Sequence, residues 1–273
     1  MRPAARTFSL ITAAHPLSLG HLAETARSVA AQRLPAGWQI EWCAWADGDS
    51  DEQLRGCLAG VRSVPGLAVL IGNTSRHMGP AACRNIALAH ATGELVRQLD
   101  ADDLLLPDAI ADDIGQMSDL GLAFCCSGTQ NVDDSGEMWP WEGVPEEGYI
   151  ERRQLYEWWA AGEGLAEIHN GTVCARTELL RLIGGWMDMW PNEDAAVLVM
   201  LGELGRGHYR RKHSHVYRFW DGSSTADFDV DTLAQDERLL STAAAIRQRL
   251  AVWRRYCGDA QWAGASDTGT CTG

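Results

Sequence analysis

The sequence has no apolar run of about 18 residues, the length a membrane-spanning helix needs, so no spanning segment is expected. Basic residues are scarce: 23 Lys and Arg stand against 37 Asp and Glu, a net charge of −14. Binding along a nucleic-acid backbone depends on clustered Lys and Arg, and this balance argues against it as the main task. It leaves room for a nucleotide held locally by a metal or by one or two basic side chains. None of the eight cysteines falls in a C-x-x-C pair, which leaves a zinc ribbon or a disulfide framework without its spacing. Buried, reduced thiols are the expectation. Met1 to Ala14 has two arginines but no apolar core followed by a small-residue cleavage site. It reads as mature protein, and the expected location is cytoplasmic. Tyr and Phe are few (5 and 4), yet Trp reaches 12. Such a bias suits both a core and a cleft that stacks on flat or ring-shaped ligands.

What is present is enough for a proper core. The 273 residues are 46% apolar and 22% charged, which fits one large α/β domain or two halves sharing a sheet. No internal repeat is visible. Phe8–Ala13, Trp38–Ala46, Leu67–Ile71 and Glu94–Leu99 read as strands. Helical stretches alternate with them at Leu22–Gln32, Asp51–Ser63 and Ala81–Ala91. Gly79-Pro80 opens the third helix and Gly93 follows its end, the usual places for these residues. This alternation predicts a mostly parallel central sheet flanked by helices. Beyond residue 103 the pattern is less regular. Helices are predicted at Pro107–Met117, Glu151–Ala161, Glu178–Ile183 and Glu193–Gly205, and strands at Leu122–Ser127 and Gly171–Ala175. Met138–Gly148 reads as a loop rich in Trp, Pro and Gly. His208–Phe219 reads as an extended basic stretch, and Leu233–Tyr256 as an amphipathic C-terminal helix before a Gly/Ser/Thr-rich tail. The expected divisions are 1–103, 104–225 and 226–273.

Parallel sheets bind ligands beyond the carboxyl ends of their strands. Two acidic loops fall there. Leu99 is followed by Asp100-Ala101-Asp102-Asp103, three carboxylates in four residues. Their repulsion is relieved by a divalent cation, and carboxylate oxygens suit Mg²⁺ or Mn²⁺. Helix capping by Asp102 or Asp103 is the alternative. The second loop, Asp47-Gly48-Asp49-Ser50-Asp51, fails as an EF-hand because Glu52 stands at loop position six and Leu58 at twelve. It is either a capped turn or a place where Asp47 accepts a hydrogen bond from a base. Glu193-Asp194 opens a helix, where acidic residues favour the dipole or act in catalysis. His208–His215 is the one dense basic segment. It either counters a diphosphate or forms a solvated edge strand.

In order and spacing these pieces resemble a family 2 glycosyltransferase of the GT-A type. The opening strand Phe8-Ser9-Leu10-Ile11-Thr12 and the Trp45-Ala46-Asp47-Gly48-Asp49 turn come first. Gly79-Pro80-Ala81-Ala82-Cys83-Arg84-Asn85, Ala91-Thr92-Gly93-Glu94 and the Asp100/Asp102 pair follow, then Gly184-Gly185-Trp186 and Glu193-Asp194. The resemblance implies an inverting hexosyltransferase with a sugar-nucleotide donor (UDP- or GDP-linked) and a divalent metal, Mn²⁺ or Mg²⁺. By match of position, Thr12 and Ala13 would border the nucleoside, Asp47 would recognise the base and Arg84 would lie near the nucleotide. Asp100 and Asp102 would form the Asp-x-Asp pair, with Asp102 the more direct metal ligand. Asp194 would be the general base and Glu193 would shape the acceptor site. Residues 1–103 would then be the nucleotide-sugar half and 104–225 the acceptor and catalytic half. One departure stands out. The family often carries Arg-x-His near the end of this region, and here Arg218-Phe219-Trp220 places Trp at the His position. No C-terminal membrane segment follows, which argues against a processive polysaccharide synthase.

The acceptor half holds Trp139, Trp141, Trp158, Trp159, Trp186 and Trp190. Trp139, Trp186 and Trp190 are the expected acceptor platform, and the expected acceptor is small and partly apolar. Two other readings compete. A nucleotidyltransferase would need a basic Gly-rich triphosphate loop, and Ala13-Ala14-His15-Pro16 offers none. A nucleotide-sugar-binding protein without turnover would keep the cleft and lose the chemistry. A homo-oligomer is left open.

Overall fold

The computed structural model describes residues 5–118, 121–161, 168–188, 193–223 and 237–257. Ten strands form one sheet in the order β3-β2-β1-β4-β9-β6-β10-β5, with β7 added to β6 and β8 to β10. The strands are β1 (Arg6–Ala14), β2 (Trp38–Ala46), β3 (Leu67–Asn73), β4 (Leu95–Gln98), β5 (Leu104–Leu105), β6 (Leu122–Val132), β7 (Met138–Pro140), β8 (Gly148–Ile150), β9 (Cys174–Arg176) and β10 (Arg206–Arg218). β1, β2, β3 and β4 run parallel, as do β6 and β10. β9 lies antiparallel between β4 and β6, so β4, β6 and β10 all point their carboxyl ends the same way.

The helices are α1 (Leu22–Ala30), α2 (Asp51–Leu58), α3 (Pro80–His90), α4 (Ala109–Met117), α5 (Gln154–Ala161), α6 (Thr177–Leu182), α7 (Glu193–Leu204) and α8 (Glu237–Cys257). β1 is buried on both faces, which is why it reads as a nearly unbroken apolar run. Leu10 and Trp42 join one core with Leu22, Leu54 and Ile110 from α1, α2 and α4. Ile11 and Cys43 point the other way and pack with Ala81, Leu180, Leu198 and Ile246 from α3, α6, α7 and α8. α7 is apolar all round because it is buried almost all round, from Ala195 to Leu204. None of the described helices is long and apolar enough to cross a membrane.

The mostly parallel α/β sheet is as the sequence predicts. α4 begins at Ala109 because Asp108 takes a left-handed φ of +66°. The Met138–Gly148 loop holds short strands at both ends, too brief to show a period. The His208–Phe219 stretch is no solvated edge: β10 is paired on one side by β6 and on the other by β5 and β8. Gly93 is required by close approach, since a Cβ there would lie 2.7 Å from the Ser9 amide nitrogen and 2.8 Å from the Thr7 carbonyl oxygen. The seven described cysteines are free thiols, and burial pushes Cys43 and Cys83 up to about 12. Cys271 lies outside the described residues.

Candidate active site

The carboxyl ends of β1, β2 and β4 meet the first turns of α3 and α7. Thr12, at the end of β1, is fully buried and donates its hydroxyl to the Leu99 carbonyl at 2.6 Å. The Thr12 hydroxyl oxygen in turn accepts the Trp42 indole N–H at 2.9 Å. Thr12 therefore locks β1 to the end of β4 from within the core, and its side chain does not face a nucleoside. Ala13 beside it is half-buried. Asp47 reaches the same sheet edge, but its carboxylate turns inward. It accepts the Met78 amide at 2.7 Å and the Gly79 amide at 3.2 Å, pinning the loop that enters α3. The bonds run to a distant loop and not to the Asp47–Asp51 turn itself, whose helix carries no side-chain cap at Ser50.

Arg84, on the second turn of α3, is the hub. It is 5% exposed and donates to Asp100 at 2.9 Å, Glu193 at 3.1 Å and Asp194 at 3.4 Å. One guanidinium thus ties the end of β4 to the start of α7. Burial alone would lower its proton affinity, but the three carboxylates outweigh that and raise it. Burial pushes Asp100 up, and Arg84 and the Gln98 amide more than reverse it, so Asp100 stays ionised. Asp194 is lifted to about 7, by burial first, with Glu193 and Asp100 adding to it and Arg84 opposing.

Asp102 is likewise lifted to about 7, by burial and by Asp103 and Asp100. The Trp220 indole opposes this by donating to Asp102 Oδ2 at 2.7 Å. Asp103 is fully buried. It holds His215 Nε2 at 2.9 Å and accepts the Arg218 amide at 3.0 Å. Burial and Asp100 push its carboxyl well up. His169 and His215, with ring centroids 5.0 Å apart, are both pushed down to about 3, chiefly by burial. Ligand atoms of Asp103, His169 and His215 lie within 4.8 Å of one another. This is a second set of groups beside Asp100 and Asp102 that could hold a cation. The donor chemistry fits one: the oxygens of Asp100 and Asp102 suit Mn²⁺ or Mg²⁺, the neutral imidazoles suit Mn²⁺, and a cation would favour the ionised form of Asp102 and Asp103, which burial now opposes.

The tryptophans divide. Trp186 is 4% exposed and no open acceptor face. Its indole donates to Gln98 Oε1 at 3.0 Å, and Asn85 brackets its backbone with bonds of 2.9 and 2.8 Å. It is a core wall beside Arg84. Trp159 is core and Trp158 packs half-buried against it. Trp139 is exposed on β7, and Trp190 lies outside the described residues. The basic segment is neutralised in place: Arg210 faces Asp112 and Asp113, and Lys212 pairs with Asp112 at 2.7 Å. Sequence reasoning passed over Gln98 and His169. It also passed over Arg97, which is 1% exposed and donates to Asp113, Ser214 and the Gly171 carbonyl. Two polar residues, Arg97 and Gln98, inside a fully buried strand were the available signal.

The fold has known counterparts. S. aureus TarS 1-349, solved in complex with UDP-GlcNAc, superposes with a TM-score of 0.68 at 19% identity, over 89% of this chain and 66% of that one. The mannosyltransferase PcManGT from Pyrobaculum calidifontis, solved with GDP-Man and Mn²⁺, superposes with a TM-score of 0.59 at 16% identity, over 90% of this chain and 65% of that one. This chain therefore spans just under two thirds of either. No curated protein matches the sequence. The family model described as "Glycosyl transferase family 2" matches residues 20–164, more than half of the chain and the stretch that carries Asp47, Arg84 and the Asp100–Asp103 cluster. With the GT-A fold around it, the chain belongs to glycosyl transferase family 2.

Proposed function

We propose that this protein is an inverting glycosyltransferase that moves a hexose from a UDP- or GDP-linked donor to a small, partly apolar acceptor. Residues 1–103 would hold the donor, and 104–225 the acceptor and the base. The observation that carries this is Arg84, which sets two carboxylate groups at opposite ends of one guanidinium: Asp100 at the strand end, and Glu193 with Asp194 on α7. Neighbours solved with UDP-GlcNAc or with GDP-Man and Mn²⁺ support the donor class.

Asp102 is the better placed metal ligand of the Asp100/Asp102 pair, because Arg84 and Gln98 already occupy Asp100. A bound Mn²⁺ or Mg²⁺ supplies positive charge against the departing diphosphate. Asp194, with a proton affinity near neutrality, suits a general base. It takes the proton of the acceptor hydroxyl as that oxygen bonds the anomeric carbon and the bond to the diphosphate breaks on the opposite face. Glu193 holds Arg84 and so fixes where Asp194 stands. Calorimetric titration of UDP and GDP with and without Mn²⁺ tests the reading. One of them binds more tightly with the metal, and Asp102→Ala removes the metal's effect. Failure of both nucleotides to bind refutes it. A second reading, a binder without turnover, draws on Trp220, whose indole holds Asp102 where the family often carries a His. Metal-dependent hydrolysis of the donor separates the two.

A further inference from the structure

β6 and β10 end at the same sheet edge as β4, on the side away from β1–β3. There β7 folds back on β6, with Trp139 opposite Asn131, and Tyr217 pairs with Asn131 from the other side. The rings gathered here touch in sequence. Trp139 meets Phe219 at 5.5 Å and 32°, Phe219 meets Tyr217 at 4.8 Å, and Tyr217 meets His169 at 4.8 Å. Trp141 stands edge-on to His169 at 4.9 Å. The outer two rings are open, Trp139 37% exposed and Phe219 38%. The residue after Phe219 is Trp220, which holds Asp102, so this ledge begins one residue from the acidic cluster.

Two further observations say what the ledge takes. Thr129 Oγ1 and Asn131 Oδ1 are buried without a hydrogen-bond partner. They lie on the sheet face shared with Tyr217, by the pairings Thr129 with His215 and Asn131 with Tyr217. Unpaired buried polar atoms are costly and mark a place where the packing is unfinished; the surface open to a ligand is the ring faces of Trp139 and Phe219, which suit the C–H face of a sugar. The surroundings are also strongly negative. Residues 133–142 carry four carboxylates and no Lys or Arg, with exposed Glu137 and Glu142 flanking the tryptophans. The nearest cation along the chain, Arg218, is turned onto Glu24 and the Asp102 carbonyl. An anionic ligand would be repelled.

We propose that the Trp139–Phe219 ledge is the acceptor platform, and that its ligand is a neutral pyranose laid with its C–H face on the rings, anionic sugars being rejected. This rests on the glycosyltransferase reading above and names its acceptor class. Sugars stack on tryptophan by the same ring-face attraction that orders aromatic pairs, and two rings tilted by 32° form a shallow trough for one sugar.

The test is saturation-transfer NMR on the full chain with Mn²⁺ and the nucleoside diphosphate that binds. The probes are the methyl glycosides of glucose, galactose, mannose and N-acetylglucosamine, with the 6-phosphate of each as its anionic twin. Transfer to ring C–H protons is expected for at least one neutral glycoside and for none of the phosphates. Trp139→Ala and Phe219→Ala should each weaken that glycoside roughly fivefold or more, and Trp139→Phe should restore most of it. Nucleotide affinity, measured alongside, reports that the variants are folded. Three outcomes overturn the proposal while leaving the function standing: nucleotide binds and no neutral glycoside does, the Ala variants bind the glycoside unchanged, or a phosphate binds as well as its neutral twin. Absence of nucleotide binding overturns the function itself and the acceptor class with it.

Discussion

Asp102 should make the ligand-free protein less stable as the pH rises, and the size of the effect follows from its surroundings. Its carboxyl stands at about 7 in the folded protein, against an ordinary 3.8. A carboxyl raised by folding favours the folded state fully only below its unfolded value, and that advantage is lost as pH rises through the folded value. At pH 8 the displacement costs on the order of 4 kcal/mol, and at pH 5.5 about 2, trimmed by solvent on the half-open side. Asn has the same shape and no titration. Asp102→Asn should therefore stabilise the protein more at pH 8 than at pH 5.5, by roughly 2 kcal/mol, or about 5 °C in Tm for a chain of this size.

The difference between the two proteins is the quantity to measure, because the native curve alone is misleading. His169 and His215 sit at about 3 against an ordinary 6.5. They act with the opposite sign: the stability they lend is present above 6.5 and lost as pH falls, roughly 1.4 kcal/mol each by pH 5.5. They offset the gain from Asp102 in the native protein and cancel in the comparison with Asp102→Asn. Thermal or denaturant unfolding at the two pH values, without divalent cations, gives both numbers. A gap that does not change between pH 5.5 and 8 would refute the argument that burial, helped by Asp103 and Asp100, lifts Asp102 to about 7.

Three other changes have definite outcomes. Asp194→Asn should keep nucleotide affinity and lose transfer by about 10²-fold or more, the scale of general-base catalysis; near-native turnover moves the base elsewhere. Trp220→Phe removes the indole donor that favours ionised Asp102, so the pH midpoint for Mn²⁺-dependent nucleotide binding should move upward, and an unchanged midpoint denies the contact its effect. Trp186→Ala opens a cavity in a wall bonded to Gln98 and Asn85. It should lower stability by about 3–5 kcal/mol, read by denaturant unfolding, and an acceptor KM effect with native stability would return Trp186 to the acceptor face.

The donor half was legible because its signals are local. Apolar runs alternate with helical spacing through β1 to β4, Gly79-Pro80 and Gly93 punctuate the third helix, and the carboxyl-end rule then places Asp100 and Asp102 in a cleft before any contact is known. What the sequence hid depends on partners far along the chain. Trp139 and Trp186 look alike as tryptophans beside glycine or proline. One is open and the other closed only because Asn85 and Gln98 bracket the second. The basic stretch at His208–His215 looked solvated, since nothing local says that β6 and β5 will flank it or that Asp112 and Asp113 will meet its cations. The backbone partners of Asp47, Met78 and Gly79, lie some thirty residues on, and nothing in its own turn announces them.

The same distance dependence explains the site's charge. Glu193 and Asp194 read as helix-dipole residues, and Asp100 as one of an acidic trio. Neither local pattern requires the other. Arg84 joins them, and with one cation serving three carboxylates the balance stays negative. Asp100, bonded directly to the guanidinium and to the Gln98 amide, keeps its charge, while burial lifts Asp102 and Asp194 to about 7. A cleft left short of positive charge is poised to take a cation on one side of Arg84 and a proton on the other. Those are the two events that departure of a diphosphate and attack by a hydroxyl require.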